Sequence, residues 1–119
     1  MLEEKPDLIA FETIPSNTEA RAIVRLLDEL GKSFSIPPAY ISFSCRNGLE
    51  NGEGNAIEEC AKIVNNSDKI IAFGINCTSP IYISQLIEKI INIVEYFLFY
   101  LFLFYFIFIF CLFLFIFIF

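Results

Sequence analysis

Apolar and polar positions alternate in two rhythms as far as residue 94. Three short apolar runs, "DLIAFET" at 7–13, "AYISFSC" at 39–45 and "KIIAFGINC" at 69–77, share an Ile-x-Phe core that starts at Ile9, Ile41 and Ile71. The starts lie 32 and 30 residues apart, the length of one strand, one helix and two loops. The segments between them carry a helical period. In "SNTEARAIVRLLDELG", Ser16 and Glu19 form a capping box, Ala20, Ile23, Val24, Leu27 and Leu30 share one face, and Gly31 is expected to stop the helix. In "NAIEECAKIV", Asn55 is the expected cap, Glu58 holds the box position, and Ile57, Cys60, Ala61 and Val64 form the stripe. A third helix is expected to open at Ser79 with Pro80 in its first turn, and to show Ile83, Leu86, Ile87, Ile90 and Val94 on one side.

Apolar strands alternating with amphipathic helices predict an α/β fold, a parallel sheet covered by helices, either doubly wound or a (β/α) barrel. No Gly-rich loop follows the first strand, which speaks against a dinucleotide fold. A barrel does its chemistry at the C-terminal ends of the strands, where this sequence places Glu12 and Thr13, Ser44 and Cys45, and Asn76 and Cys77. Three units do not close an eight-stranded barrel, so residues 1–95 read as a partial barrel domain.

Composition splits the chain at residue 95. All Lys, Arg, Asp and Glu lie in 1–95, which carries the net charge of −6 without a basic cluster. That excludes nucleic acid as an expected partner, because phosphate recognition needs concentrated Lys and Arg. The four cysteines, Cys45, Cys60, Cys77 and Cys111, show no CxxC spacing, and no secretory signal precedes them. A reduced, cytoplasmic setting is expected. The chain has no histidine, so a metal would rest on sulfur or carboxylate.

Residues 96–119, "YFLFYLFLFYFIFIFCLFLFIFIF", are a low-complexity hydrophobic segment with no charge. As a helix it would reach ~36 Å, enough for a ~30 Å hydrocarbon core, so by length it qualifies as a transmembrane helix. Its texture argues otherwise: Phe alternates with Leu, Ile or Tyr, no small residue interrupts it, and nothing polar follows. Phe, Leu and Ile share T-rich codons, and the expectation is a translated T-rich non-coding tract, with a membrane anchor and a structural role as the other readings.

Among residues able to carry chemistry, Cys77 follows an apolar run and is flanked by Gly74, Asn76 and Pro80; buried filler and metal ligand are both open for it. Glu12, at the end of "LIAFE", is either a solvated strand end or a carboxylate aimed into a barrel mouth. Cys45 and Arg46 read as loop residues without a role, Cys60 as core, and Cys111 belongs to the tail.

The blocks "DLIAFETIPSNTEARAIVRLLDE", "AYISFSCRNG" with a later "NGE", and "IIAFGINCTSP" together resemble the homocysteine S-methyltransferase family, of the type that uses S-methylmethionine or S-adenosylmethionine as methyl donor. The resemblance covers nearly all of residues 7–94. It implies a zinc-dependent (β/α)8 TIM barrel, of which this chain would supply strands four to six with their helices. It also implies that Cys77 is one of three thiolate ligands to Zn2+, and that Glu12 binds the ammonium group of homocysteine. The family's other two zinc ligands lie in a Gly-Gly-Cys-Cys block, which this sequence lacks. Zinc in a three-sulfur site would bind the homocysteine sulfur as thiolate, the form that attacks a sulfonium methyl. The expectation is therefore a truncated homocysteine S-methyltransferase, inactive as it stands. The alternatives are a membrane-anchored, non-catalytic binding remnant and an unrelated βα-barrel enzyme.

Overall fold

The computed structural model describes residues 6–94 and the strands at 97–101 and 114–118. Five strands form one sheet in sequential order: β1 (Ile9–Ile14), β2 (Ala39–Phe43), β3 (Ile70–Ile75), β4 (Phe97–Leu101) and β5 (Leu114–Ile118). The pairs β1–β2, β2–β3 and β3–β4 are parallel, and β4–β5 is antiparallel. Three helices connect the parallel strands: α1 (Asn17–Ser33), α2 (Ile57–Asn65) and α3 (Ile83–Ile90), the last entered through a 3-10 turn at Pro80–Tyr82. The expected α/β alternation of three strands and three helices is present. Sequential strand order is the winding of a barrel wall, since a doubly wound sheet reverses direction partway.

The core forms because each element buries one stripe. Helix α1 buries Ala20, Ile23, Val24 and Leu27; α2 buries Ile57, Cys60, Ala61, Ile63 and Val64; α3 buries Ile83, Leu86 and Ile90. They pack on Ile41, Phe43, Phe73 and Ile75 from the sheet, with Ile9 and Phe11 at the margin. The rings of Phe43 and Phe73 stack at 5.1 Å. Full burial of one such side chain contributes about 1.5–3 kcal/mol, so this face supplies most of the drive to fold. By the period-two alternation of strands, Ala10, Glu12, Tyr40, Ser42, Ala72 and Gly74 point to the opposite face. That second face sets the small residues Ala10, Ala72 and Gly74 beside the polar groups of Glu12, Tyr40 and Ser42.

Several local expectations hold and several shift. Ser16 caps α1 and its Oγ accepts the Glu19 N–H at 3.1 Å. Gly31 does not end α1, which continues to Ser33 and closes with the Phe34 N–H donating to the Leu30 carbonyl. A Cβ at residue 31 would lie 2.6 Å from Cε of Lys69, so the missing side chain makes room for a crossing lysine. Asn55 does not cap α2. That helix starts after Ala56 with no side-chain cap, because Asn55 Oδ1 is taken by the Asn17 N–H and by Asn51 Nδ2. Pro80 opens a 3-10 turn after Ser79, and Val94 lies beyond the end of α3.

The C-terminal helix is corrected. Residues 97–101 and 114–118 are strands, which suits alternating Phe, Leu and Ile better than a helix does, and β4 occupies the edge of β3. Among the described residues no helix is long and apolar enough to cross a membrane. The rest of the segment, Cys111 included, lies outside the described residues.

Candidate functional site

The C-terminal ends of β1, β2 and β3 meet at one rim. At β1 the pairing with β2 shifts: Phe11 lies opposite Ile41 and Ile14 opposite Phe43, so Glu12 and Thr13 together face the single residue Ser42. This is a β-bulge, with Thr13 at φ +62°. The bulge resets the alternation, so that Glu12 and Thr13 are both exposed while Ile14 returns to the core. Cys77, just past β3, also has positive φ, +48°. A non-glycine residue in this region costs about 1–3 kcal/mol, more for a β-branched residue such as threonine, and both instances fall at the same rim.

Asn76 joins them. It is 3% exposed. Its Oδ1 accepts the Ser42 hydroxyl at 2.8 Å and the Thr13 N–H at 3.1 Å. Two donors on one atom fix which end of the carboxamide is oxygen. Nδ2 therefore donates to Thr13 Oγ1 at 2.8 Å and lies 3.8 Å from Cys77 Sγ. Thr13 Oγ1 stands 3.7 Å from the same sulfur. The Asn76 backbone is held as well: its N–H donates to the Phe43 carbonyl, and its carbonyl accepts the Thr78 hydroxyl. Thr78 Oγ1 in turn accepts the Cys45 N–H at 2.9 Å.

The described cysteines separate by environment. Cys45 and Cys60 are buried and Cys77 is exposed. Burial pushes the Cys45 thiol up to about 11 and the Cys60 thiol up to about 12, so both are neutral at physiological pH. Cys60 belongs to the core, as its place on the α2 stripe predicts, and its Sγ lies 3.0 Å from Asn17 Oδ1. Cys45 is also core rather than loop surface. Arg46 is engaged by Glu50 through Nε at 2.9 Å and Nη2 at 2.7 Å. The Asn47 amide and this guanidinium hold the Glu50 carboxyl below the usual carboxylate range.

Glu12 projects from the bulge, and the Tyr40 hydroxyl donates to its Oε1. Tyr40 is 4% exposed, so the exposed carboxylate is steadied by a buried phenol one strand away. Sequence reasoning singled out Glu12 and Cys77 and missed Tyr40 and Ser42. The signal for them was present in "AYISF", where Tyr and Ser alternate with Ile and Phe and so share one face of the strand.

Among the described residues no three of His, Cys, Asp and Glu cluster to hold a metal ion. One exposed thiol suits a single ligand position, and the residues present do not fit a closed zinc site.

The homocysteine S-methyltransferase family model matches residues 1–104. The chain belongs to that family. Its relatives include Homocysteine S-methyltransferase 1 of Arabidopsis thaliana, 42% identical over 95 residues that make up 80% of this chain and 28% of the relative. Homocysteine S-methyltransferase 3 of the same plant is 46% identical over 81 residues, 68% of this chain and 22% of the relative. Selenocysteine Se-methyltransferase of Brassica oleracea var. italica is 39% identical over 95 residues, 80% of this chain and 27% of the relative. The chain thus spans about a quarter of the length of the curated relatives it matches. Among solved structures, the apo form of the homocysteine methyltransferase MmuM from Escherichia coli superposes with a TM-score of 0.73 at 22% identity, over 83% of this chain and 37% of that one. The metallated form gives the same TM-score over 33% of its chain. This likeness shows the fold: the three βα units correspond to part of that enzyme.

Proposed function

We propose that this chain carries part of the acceptor site of a homocysteine S-methyltransferase, with Cys77 as one sulfur ligand to zinc and Glu12 as the group that binds the homocysteine ammonium. The observation that carries the reading is that Cys77 alone, of the three described cysteines, is exposed, and that it stands at the rim to which the β1 bulge also turns Glu12. In a complete three-sulfur site, zinc would supply the Lewis acidity that keeps an acceptor thiol ionised at neutral pH. The chain's own residues bind and orient the acceptor. Glu12 offers a carboxylate to an α-ammonium group and fixes the orientation of the acceptor, and Tyr40 holds that carboxylate from below. Methyl transfer from a sulfonium donor to a thiolate needs no general base, in keeping with a sequence without histidine.

Homocysteine is the proposed acceptor, and S-methylmethionine or S-adenosylmethionine the donor. The names of the relatives share an amino acid with a sulfur or selenium nucleophile, which supports that acceptor class. With one thiol in place the 119-residue chain by itself is proposed to be inactive, since the affinity of a zinc site grows from its full ligand set.

A chimera tests the assignment. The 95 matched residues of the Arabidopsis Homocysteine S-methyltransferase 1 are replaced by those of this chain, and methionine is assayed with zinc, homocysteine and S-methylmethionine. The expected result is turnover that Cys77→Ser reduces by more than about a hundredfold, and that Glu12→Gln weakens through KM for homocysteine. Turnover that survives Cys77→Ser would overturn the ligand assignment, and turnover by the isolated 119-residue chain would overturn the claim of inactivity.

A further inference from the structure

We infer that Asn76 and Thr13 form a positioning device that holds the Cys77 sulfur in one orientation at the rim. The inference deepens the proposed function and rests on its reading of Cys77 as the working thiol. Its basis is the direction of the hydrogen bonds. Ser42 has one hydroxyl proton and gives it to Asn76 Oδ1, and the Thr13 N–H donates to the same atom. The carboxamide cannot flip without setting two donors against its NH2 group. Nδ2 then has two protons, one directed to Thr13 Oγ1 and one toward Cys77 Sγ. Having accepted from Nδ2, the Thr13 hydroxyl has its own proton left for the sulfur. The side-chain donors of Ser42 and Asn76 thus run in one direction, and the Thr13 hydroxyl proton is available to close the chain at Cys77.

The backbone supports the same conclusion. Thr13 and Cys77 both have positive φ, and the side chain of Asn76 bridges them. Partners 63 residues apart in sequence are tied by two hydrogen bonds between Thr13 and Asn76, one to the backbone and one to the side chain. Without the bridge, Thr13 loses the contacts that offset its strained conformation. A carboxamide is the one side chain of this size with an acceptor and a two-proton donor at its ends. Aspartate would put an oxygen in place of Nδ2, so the Thr13 hydroxyl would turn its proton to that oxygen and away from the sulfur, and leucine would leave both Ser42 and the Thr13 N–H without an acceptor. Asn76 and Thr13 act through Cys77 and are positioning residues.

The test follows carboxamidomethylation of each cysteine by iodoacetamide at pH 8 in the full chain, resolved by peptide mass spectrometry, with no metal or substrate. Buried Cys45 and Cys60 serve as internal reporters of folding. Thr13→Val removes the hydroxyl with little change of shape and is expected to slow Cys77 about fivefold, the worth of one hydrogen bond, because the sulfur then spends less time turned to the rim. Thr13→Ser keeps the hydroxyl and is expected to restore the rate. Asn76→Asp is expected to slow Cys77 about tenfold or more, with Cys45 and Cys60 still protected. An unchanged Cys77 rate in Thr13→Val and Asn76→Asp with the other two protected would overturn the inference. Acceleration of all three cysteines together would also overturn it, since these residues would then serve the fold alone. Loss of the ligand role in the chimera, with these rates as expected, would refute the proposed function and leave the positioning device standing.

Discussion

The two faces of the sheet are built from the same three strands and carry opposite chemistry. On the helix side Ile41, Phe43, Phe73 and Ile75 are buried among α1, α2 and α3. On the other side Glu12, Tyr40, Ser42 and Asn76 exchange hydrogen bonds with one another and with the rim residues. Backbone regularity separates them as well. β2 and β3 keep their register from Tyr40 to Phe43, whereas the rim ends in the β1 bulge and two positive φ values. The regular face stabilises the fold, and the irregular rim holds groups in place at some cost in stability.

Substitutions on each face should differ in size and in kind. The largest effect is expected from Phe43→Ala, which removes a fully buried ring stacked on Phe73; it should cost about 3–5 kcal/mol and abolish cooperative urea unfolding followed by circular dichroism. Asn76→Leu keeps the branched shape but leaves the Ser42 hydroxyl, the Thr13 N–H and Thr13 Oγ1 without their partner. A loss of about 2–3 kcal/mol is expected in the same experiment. Equal losses at Phe43 and at Leu26, an exposed residue of α1, would break the distinction between stabilising face and surface.

A smaller effect is expected from pH. Burial raises both the Cys45 and the Cys60 thiol above the ordinary 9.0, to about 11 and about 12, so the fold favours their neutral forms. That contribution is complete below pH 9 and is lost as pH rises toward 11 and 12. The urea midpoint should accordingly fall between pH 9 and pH 11, and Cys60→Ala should flatten the fall. The smallest change is expected from Glu12→Gln, within about 0.5 kcal/mol of the parent, because its side chain is exposed. A large loss there would make the rim carboxylate part of the structural frame.

Much of the regular half was legible in the sequence, because its signals are local. The Ile-x-Phe runs became β1, β2 and β3, and the Ser16 to Glu19 spacing became a cap. The rim was legible only as positions. Nothing near Glu12 announces a bulge, since no glycine or proline marks the two residues that face Ser42. The partners of Asn76 are 34 and 63 residues away, which no local pattern encodes. Asn55 misled for the same reason: a side chain suited to capping α2 is held instead by Asn17 and Asn51 from outside the helix. For the Phe-rich segment length was the weak signal, because 24 apolar residues satisfy the span of a bilayer whatever their β propensity.

The Cys77 thiol stands at the open rim while the other two described thiols sit in the core. Peptide-resolved alkylation of the unaltered chain at pH 8 measures it directly. Cys77 should react at least about tenfold faster than Cys45 and Cys60. A Cys77 as protected as those two would contradict the account.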